Sequence, residues 1–326
     1  MELARPLPGR RTVIITYIGG RLAAIAPTLL IVSFVTFSLL ELTPGDTAVS
    51  IAGEGATEAQ IEAIRLALGL DDPFLVRYFD FLTNALQGDL GESLMNSQPV
   101  MSAILERLPV TISLVAFVFV ISVVLGVPAG ALAARHPNSW IDRAISVVSA
   151  FALAAPTFLI GLLLIVVVSL EWGLLPATGY SPMGDGLGEW ASRLVLPATA
   201  VALHPAAELA RMTRATMTDT LEKDYIRTAR AKGLAEGVVV RKHALKNAAI
   251  PVVTALGMQV ARVLGGSVII EQIFAIPGLG SLTIRSVLDR DLSMIMGIVI
   301  VAATITVLIN LLVDLSYGYF NPKLRK

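Results

Sequence analysis

The sequence contains no cysteine and only three histidines, His136, His204 and His243, set far apart. Disulfides, thiolate catalysis and cysteine-based metal sites are thereby excluded, and the histidine spacing argues against a His-rich metal site. Charge is scarce: 15% of the 326 residues are Asp, Glu, Lys or Arg, against about 25% in a soluble domain. The 25 basic and 25 acidic residues cancel, so the charge balance suggests no nucleic-acid partner. No lysine precedes Ser or Thr, and no Gly-Lys pair occurs. A P-loop needs that sequence to cradle phosphates, so the chain cannot hydrolyse ATP by that route. No nucleophile–base pair or metal constellation suggests an enzyme.

What the chain has is apolar length. Hydrophobic residues make up 55% of it, and the mean hydropathy is +0.75. A membrane-spanning helix needs roughly 20 apolar residues. Six runs are long enough: Val13–Leu40, Leu108–Ala134, Ala144–Leu170, Leu194–Met212, Ala248–Ile270 and Leu292–Tyr317. The expected fold is an all-α integral membrane protein of six transmembrane helices. Arg10-Arg11 invites a twin-arginine signal reading. The apolar stretch behind it is longer than a signal core and lacks a small-residue cleavage site, which favours an anchor.

Lys and Arg concentrate on the cytoplasmic side. With the N-terminus inside, 18 of the 25 basic residues fall inside, six fall outside, and Arg262 lies within a span. Both termini are therefore expected in the cytoplasm. The chain then divides into a cytoplasmic N-terminus (1–12), a first span (13–41), an extracytoplasmic segment (42–107) and a five-helix core (108–326) with a cytoplasmic loop at 213–249.

The 42–107 segment is acidic but patterned into short helices. Thr57 and Gln60 form a capping box, with Gly69 as the stop. Asp72 is expected to cap a second helix with Pro73 at its first position, ending near Gly88. Phe74, Tyr78, Phe79 and Leu82 would pack that helix onto the membrane domain. The segment could be a solvated cap or a docking surface for a delivery protein. Pro27, Pro128, Pro156 and Pro205 fall in spans, where neighbouring helices can satisfy the freed carbonyls. Gly126 and Gly130 form a small-xxx-small pair for close helix packing. Ile276-Pro277-Gly278-Leu279-Gly280 has the chemistry of a tight turn.

The 213–249 loop is helical in propensity. Within it lies Asp224-Tyr225-Ile226-Arg227-Thr228-Ala229-Arg230-Ala231-Lys232-Gly233. Small Thr228, Ala229 and Ala231 permit close approach by a partner, Gly233 ends the segment, and Arg227, Arg230 and Lys232 suit the negative end of the helix dipole. Anionic lipid headgroups would also attract such a loop, and charge alone does not choose between them.

The segment Asp224 to Leu234, followed by His243-Ala244-Leu245-Lys246-Asn247-Ala248, resembles the EAA loop of ABC-importer permeases, in its dipeptide/oligopeptide/nickel branch. The general motif is E-A-A-x-x-x-G. Arg227, Thr228 and Ala229 stand at its first three positions with Gly233 in register, so the glutamate is absent, a variant familiar in the peptide branch. Thr43-Pro44-Gly45-Asp46, Leu68-Gly69-Leu70-Asp71, Gly88-Asp89-Leu90-Gly91, Arg107-Leu108-Pro109-Val110-Thr111 and Ala155-Pro156-Thr157-Phe158 are similar to the first of the two peptide permease subunits. So are Gly265-Gly266-Ser267-Val268-Ile269-Ile270-Glu271 and Ile276-Pro277-Gly278-Leu279-Gly280.

The resemblance implies the type I ABC-importer transmembrane fold in a prokaryotic inner (plasma) membrane. It implies a second homologous permease subunit, two ABC ATPases that carry ATP and Mg, and an extracytoplasmic substrate-binding protein, with no cofactor on this chain. Asp224, Tyr225, Arg227, Thr228, Ala229, Ala231, Lys232, Gly233 and Leu234 would form the ATPase-coupling helix. The substrate would be a di- or oligopeptide, with nickel complexes or other solutes as alternatives. A stand-alone secondary carrier is a second class. It predicts paired intramembrane acids and symmetric interrupted helices, which are not evident. Arg262 and Glu271 are candidates for the translocation path, because a charge in a span should face a bundle interior or a wet cavity. Nine residues separate them, roughly 13 Å along a helix, so each needs its own partner. His204-Pro205 reads as a kink.

Overall fold

The computed structural model describes residues 26–39, 42, 47–53, 55–67 and 69–320. Expectations for the N-terminus, the early first span, Thr43–Asp46 and the basic tail lie outside these residues. The described chain is helical, in the order α1 (Ala26–Leu39), α2 (Thr47–Ala52), α3 (Glu58–Ala67), α4 (Phe74–Leu86), α5 (Val100–Arg135), α6 (Trp140–Ala154) and α7 (Thr157–Leu164). A π-helical turn, Ile165–Glu171, extends α7. Then follow α8 (Leu187–Leu221), α9 (Asp224–Ala231), α10 (Glu236–Val238), a π-helical turn at Val239–Ala244, α11 (Leu245–Ile273), α12 (Leu279–Leu288) and α13 (Leu292–Phe320).

Two described helices, Val100–Arg135 and Leu292–Leu312, are long and apolar enough to cross a membrane unaided. Two more candidates are bent pairs. The expected continuous span Ala144–Leu170 is broken: α6 and the helix Thr157–Glu171 meet at 105°. The break falls at Ala155-Pro156, where proline has no N–H to donate and forces its predecessor out of the helical region. Ala155 has φ −74° and ψ 131°. The α11 pair, Pro251–Val260 and Arg262–Ile273, bends by 52°. The Leu194–Met212 run lies inside the 35-residue α8, which continues to Leu221. The run expected as the fourth span and the start of the expected loop are thus one helix.

The chain forms two compact units. Of the described residues, the first contains Val110–Ser281 and the end of α13 from Thr306, the second those up to Pro109 with Leu282–Ile305.

In the first unit, α8 is the central helix. Alanines on α8 (Ala198, Ala200, Ala202) are buried with Leu114 and Val118 of α5, with Ile270 of α11 and with Phe274 at its C-cap. The α5–α8 crossing is set by the glycine pair. A β-carbon on Gly126 would lie 2.9 Å from Leu209 Cβ and press on the Ala206 carbonyl, and one on Gly130 would lie 2.7 Å from Thr213 Cβ and press on that of Ala210. At one end of the unit, Ala134, Met217, Val240 and Ala244 form a small core. At that end the α6 N-terminus is pinned to α8: Arg214 donates from Nη2 to Asp142 Oδ2 at 2.8 Å, and Asn138 N–H donates to the same carboxylate at 3.0 Å.

In the second unit, Thr57 and Gln60 form the expected capping box, the Thr57 amide donating to Gln60 Oε1 at 2.9 Å and the Gln60 amide to Thr57 Oγ1 at 3.4 Å. Gly69 has φ +60° and closes that segment. The expectation for Asp72 is corrected. The N-cap of α4 is Pro73, with no side-chain hydrogen bond. With φ −54° and ψ 138°, Pro73 takes the extended conformation just before the helix, not its first turn. α4 does pack inward, through Phe74, Tyr78 and Phe81 against Phe37 of α1 and Met296 and Ile300 of α13. Phe79 is 57% exposed, so Phe81 takes the place expected of it. Asp291 accepts from the Ser93 hydroxyl at 2.5 Å and from the Leu94 and Met294 amides, tying the 93–99 turn to the start of α13.

Candidate functional site

The sequence-predicted docking segment forms α9, and its bounds follow from local chemistry. Lys223, at the N-cap, is extended (φ −69°, ψ 147°). Asp224 supplies a carboxylate in the first turn, where the dipole favours it, and its carbonyl accepts from Thr228 Oγ1 at 3.0 Å. Gly233, at φ +78°, allows the Leu234 amide to reach the Ala229 carbonyl at 3.3 Å and its own amide to reach Arg230 at 2.9 Å. This is the left-handed closure that glycine makes cheaply. A β-carbon there would meet nothing within 4 Å, so the requirement is conformational, not steric.

One residue anchors α9: Ile226 is fully buried. Tyr225, Arg227, Thr228, Ala231, Lys232 and Leu234 are exposed, and Ala229 is half-buried. Tyr225 and Leu234 are 45% and 36% exposed, so the helix and the turn that closes it present two large hydrophobic side chains among small and basic ones. Arg230 is drawn to Glu236 by a two-pronged contact, Nη2 to Oε1 at 2.8 Å and Nε to Oε2 at 3.0 Å. Those hydrogen bonds hold the Glu236 carboxyl below the usual carboxylate range and raise Arg230, with partial burial opposing both. The pair braces the turn after α9. Glu236 was not legible as part of the site, although a charge-complementary partner six residues on is a signal that could have found it.

The structure does not bring Arg262 and Glu271 together. Arg262 donates from Nη1 to Glu208 Oε1 at 3.0 Å. Glu208 is also 3.8 Å from His204 Nε2, one turn earlier on α8. Arg262 is 57% exposed at the side chain and Glu208 31%. Both line a cavity of about 710 Å³ between α6, α8 and α11, together with Arg211, Arg214, Met212 and Met258. Glu208 was missed by sequence reasoning, since the partner of Arg262 lies 54 residues away.

Glu271 has a different setting. It is fully buried and accepts from the Thr111 hydroxyl at 2.9 Å and the Ser281 amide at 2.9 Å. Thr111 Oγ1 in turn accepts from the Leu279 amide at 2.8 Å. Gly278 and Gly280 lie so close to the carboxylate that a β-carbon on either would collide with it. Glu271 therefore holds the turn at 276–281 against α5 and α11. The expected tight turn is present, but it leads into α12 rather than straight into the next span. Among the described residues, no three His, Asp or Glu side chains come close enough to hold a metal ion.

The family described as "Binding-protein-dependent transport system inner membrane component" matches residues 126–326, and its N-terminal counterpart matches residues 14–115. A Brucella abortus (strain 2308) protein, provisionally named a peptide transport system permease protein, is 42% identical over 305 residues, covering 94% of this chain and 97% of its own. The glutathione transport system permease protein GsiC of Escherichia coli (strain K12) is 40% identical over 311 residues, covering 95% and 99%. The chain belongs to the family of binding-protein-dependent transport system inner membrane components, and is a permease of its peptide branch.

Proposed function

We propose that this member of the binding-protein-dependent inner membrane components forms half of the pathway of an ATP-driven peptide importer. In this reading it crosses a prokaryotic inner membrane six times with both ends in the cytoplasm. A second, related permease completes the pathway, two ABC ATPases sit inside, and a binding protein delivers the substrate outside. α9 is the coupling helix. ATP closes the ATPase pair, the coupling helices draw together, and the pathway shifts between inward and outward states, a change in populations.

The observation that carries this reading is the form of α9. It is a short helix with one buried anchor, Ile226, exposed Tyr225 and Ala231, and exposed Leu234 just past its end. Exposed apolar side chains among small residues suit insertion into a partner's cleft better than contact with lipid headgroups. The absence of a P-loop sequence requires that the ATPase be another polypeptide. Similarity to permeases named for peptide and glutathione transport supports short peptides as the substrate class.

A mild-detergent pull-down tests the assembly. The tagged wild-type chain should bring down a second permease and an ATP-binding subunit. Ala231→Glu, at an exposed position, should lose the ATPase and keep the permease. A wild-type chain that transports peptide while purifying without any ATPase would favour the self-sufficient carrier.

A further inference from the structure

The cavity between α6, α8 and α11 is built in a way the coupling reading does not use. Glu208, Arg211 and Arg214 line it from α8, at the three-residue spacing that places side chains on one face, and Arg262 lines it from α11. Three cations thus meet one anion at the wall. Arg214 is taken by Asp142 of α6 at 2.8 Å and Arg262 by Glu208 at 3.0 Å. Arg211 is exposed and has no acidic partner within ion-pair distance among the described residues. The cavity is therefore electropositive, with one guanidinium free to take an anion.

The remaining wall is adaptable. Met212 on α8 and Met258 on α11 face the same space, 37% and 66% exposed. Methionine is unbranched and polarizable, and conforms to ligands of different shape. The volume of about 710 Å³ lies in the 300–1,000 Å³ range of small-molecule sites. Fixed charges beside a compliant apolar wall suit a ligand with constant charged ends and variable side chains.

We propose, resting on the importer reading, that this cavity is a passage site for short peptides with a free C-terminus. Arg211 and Arg262 receive the terminal carboxylate, and Glu208, released from Arg262, takes the peptide ammonium. The exchange sets three cations, Arg211, Arg262 and the peptide ammonium, against two carboxylates, so that every charge faces an opposite one and the terminal carboxylate is shared by the two guanidiniums. It avoids the cost of an isolated charge in a low-dielectric setting. It also limits net affinity, because the protein's own pair must open first, and transit requires a site weak enough to leave.

The absence of native cysteine in this chain gives a direct test. In the assembled complex in membranes, Met258→Cys is alkylated with N-ethylmaleimide and the label is read on this chain by mass. Met212→Cys, on the facing wall, serves as a second reporter. Tri-alanine should slow the labelling, and tri-alanine amide should need about tenfold more for equal protection, as expected for loss of one charged hydrogen bond. Arg211→Gln should shrink the difference between the two peptides, and Arg211→Gln with Arg262→Gln should abolish it. Equal protection by both peptides, or none by either, overturns the proposal. So do cysteines that never react without peptide, since another chain then fills the cavity. Failure of the importer reading appears separately, as the absence of a co-purifying ATPase.

Discussion

Replacing Gly126 and Gly130 by alanine should loosen the permease core at one identifiable place. The new β-carbons would stand 2.9 Å from Leu209 Cβ and 2.7 Å from Thr213 Cβ. To bring even these Cβ contacts to the 3.4 Å at which ordinary van der Waals contact begins, α8 must retreat by at least about 0.5 Å at the first site and about 0.7 Å at the second. The backbone carbonyls of Ala206 and Ala210 are closer still and cannot rotate away as a flexible side chain would. A gap of 0.5–1 Å forfeits roughly a quarter to a half of each contact's attraction along the crossing. Each alanine should therefore cost about 2 kcal/mol, within the span measured for overpacked cores. The two sites share one crossing, so the retreat forced by the first relieves the second, and the double variant should cost about 1 kcal/mol less than the sum. Reversible unfolding in mixed detergent and SDS, followed by circular dichroism, would measure this. Gly237→Ala, where a β-carbon meets nothing within 4 Å, is the control. Single variants within about 0.5 kcal/mol of wild type, or strictly additive costs, would refute the close crossing.

Other consequences are open to the same kinds of measurement. Arg214→Ala leaves the Asp142 carboxylate, 5% exposed, with the Asn138 amide as its remaining described donor. It should cost about 3 kcal/mol, the low end for a broken buried pair, and hydrogen exchange should rise first around residues 136–143. Thr111→Val removes a donor to Glu271 and the acceptor of the Leu279 amide. The expected cost is about 2 kcal/mol, with faster exchange confined to the 276–281 turn. The Glu236 carboxyl is held below its ordinary value by Arg230. Its contribution is thus complete above the ordinary value and lost as pH falls through the depressed one. Amide protection at Gly233 and Leu234 should hold from pH 7 to 5 and fall below about pH 4, and Glu236→Gln should remove that dependence.

What was legible in the sequence follows from how far each interaction reaches along the chain. The stop at Gly233 and the Thr57–Gln60 box depend on hydrogen bonds spanning three to five residues, so residue type and spacing suffice. The glycine pair was readable as a close-packing face, but not the α8 residues it meets. The ion pairs that organise the first unit join residues 54 and 72 apart, and Glu271 meets Thr111 across 160. No local pattern encodes such pairings. They exist because helices far apart in sequence pack side by side. The 105° break lay between these cases: Pro156 marked where a bend would fall, while its size depends on what α7 packs against. Asp72 was misassigned because an acid before a proline suits a cap equally well one residue later or earlier, and the extended backbone at Pro73 decides it.

The central claim is that α9 is the point of contact with an ATPase, and site-directed cross-linking in membranes tests it most directly. Thr228→Cys and Ala231→Cys, both exposed on α9, should form disulfides with a cysteine set in the cleft of the ATP-binding subunit, in a yield that changes when ATP is added. Met183→Cys, 52% exposed on the α7–α8 connection, which the proposed six-span topology puts on the opposite face, should form none. Cross-links absent from α9, or equal at all three positions and indifferent to ATP, would contradict the account.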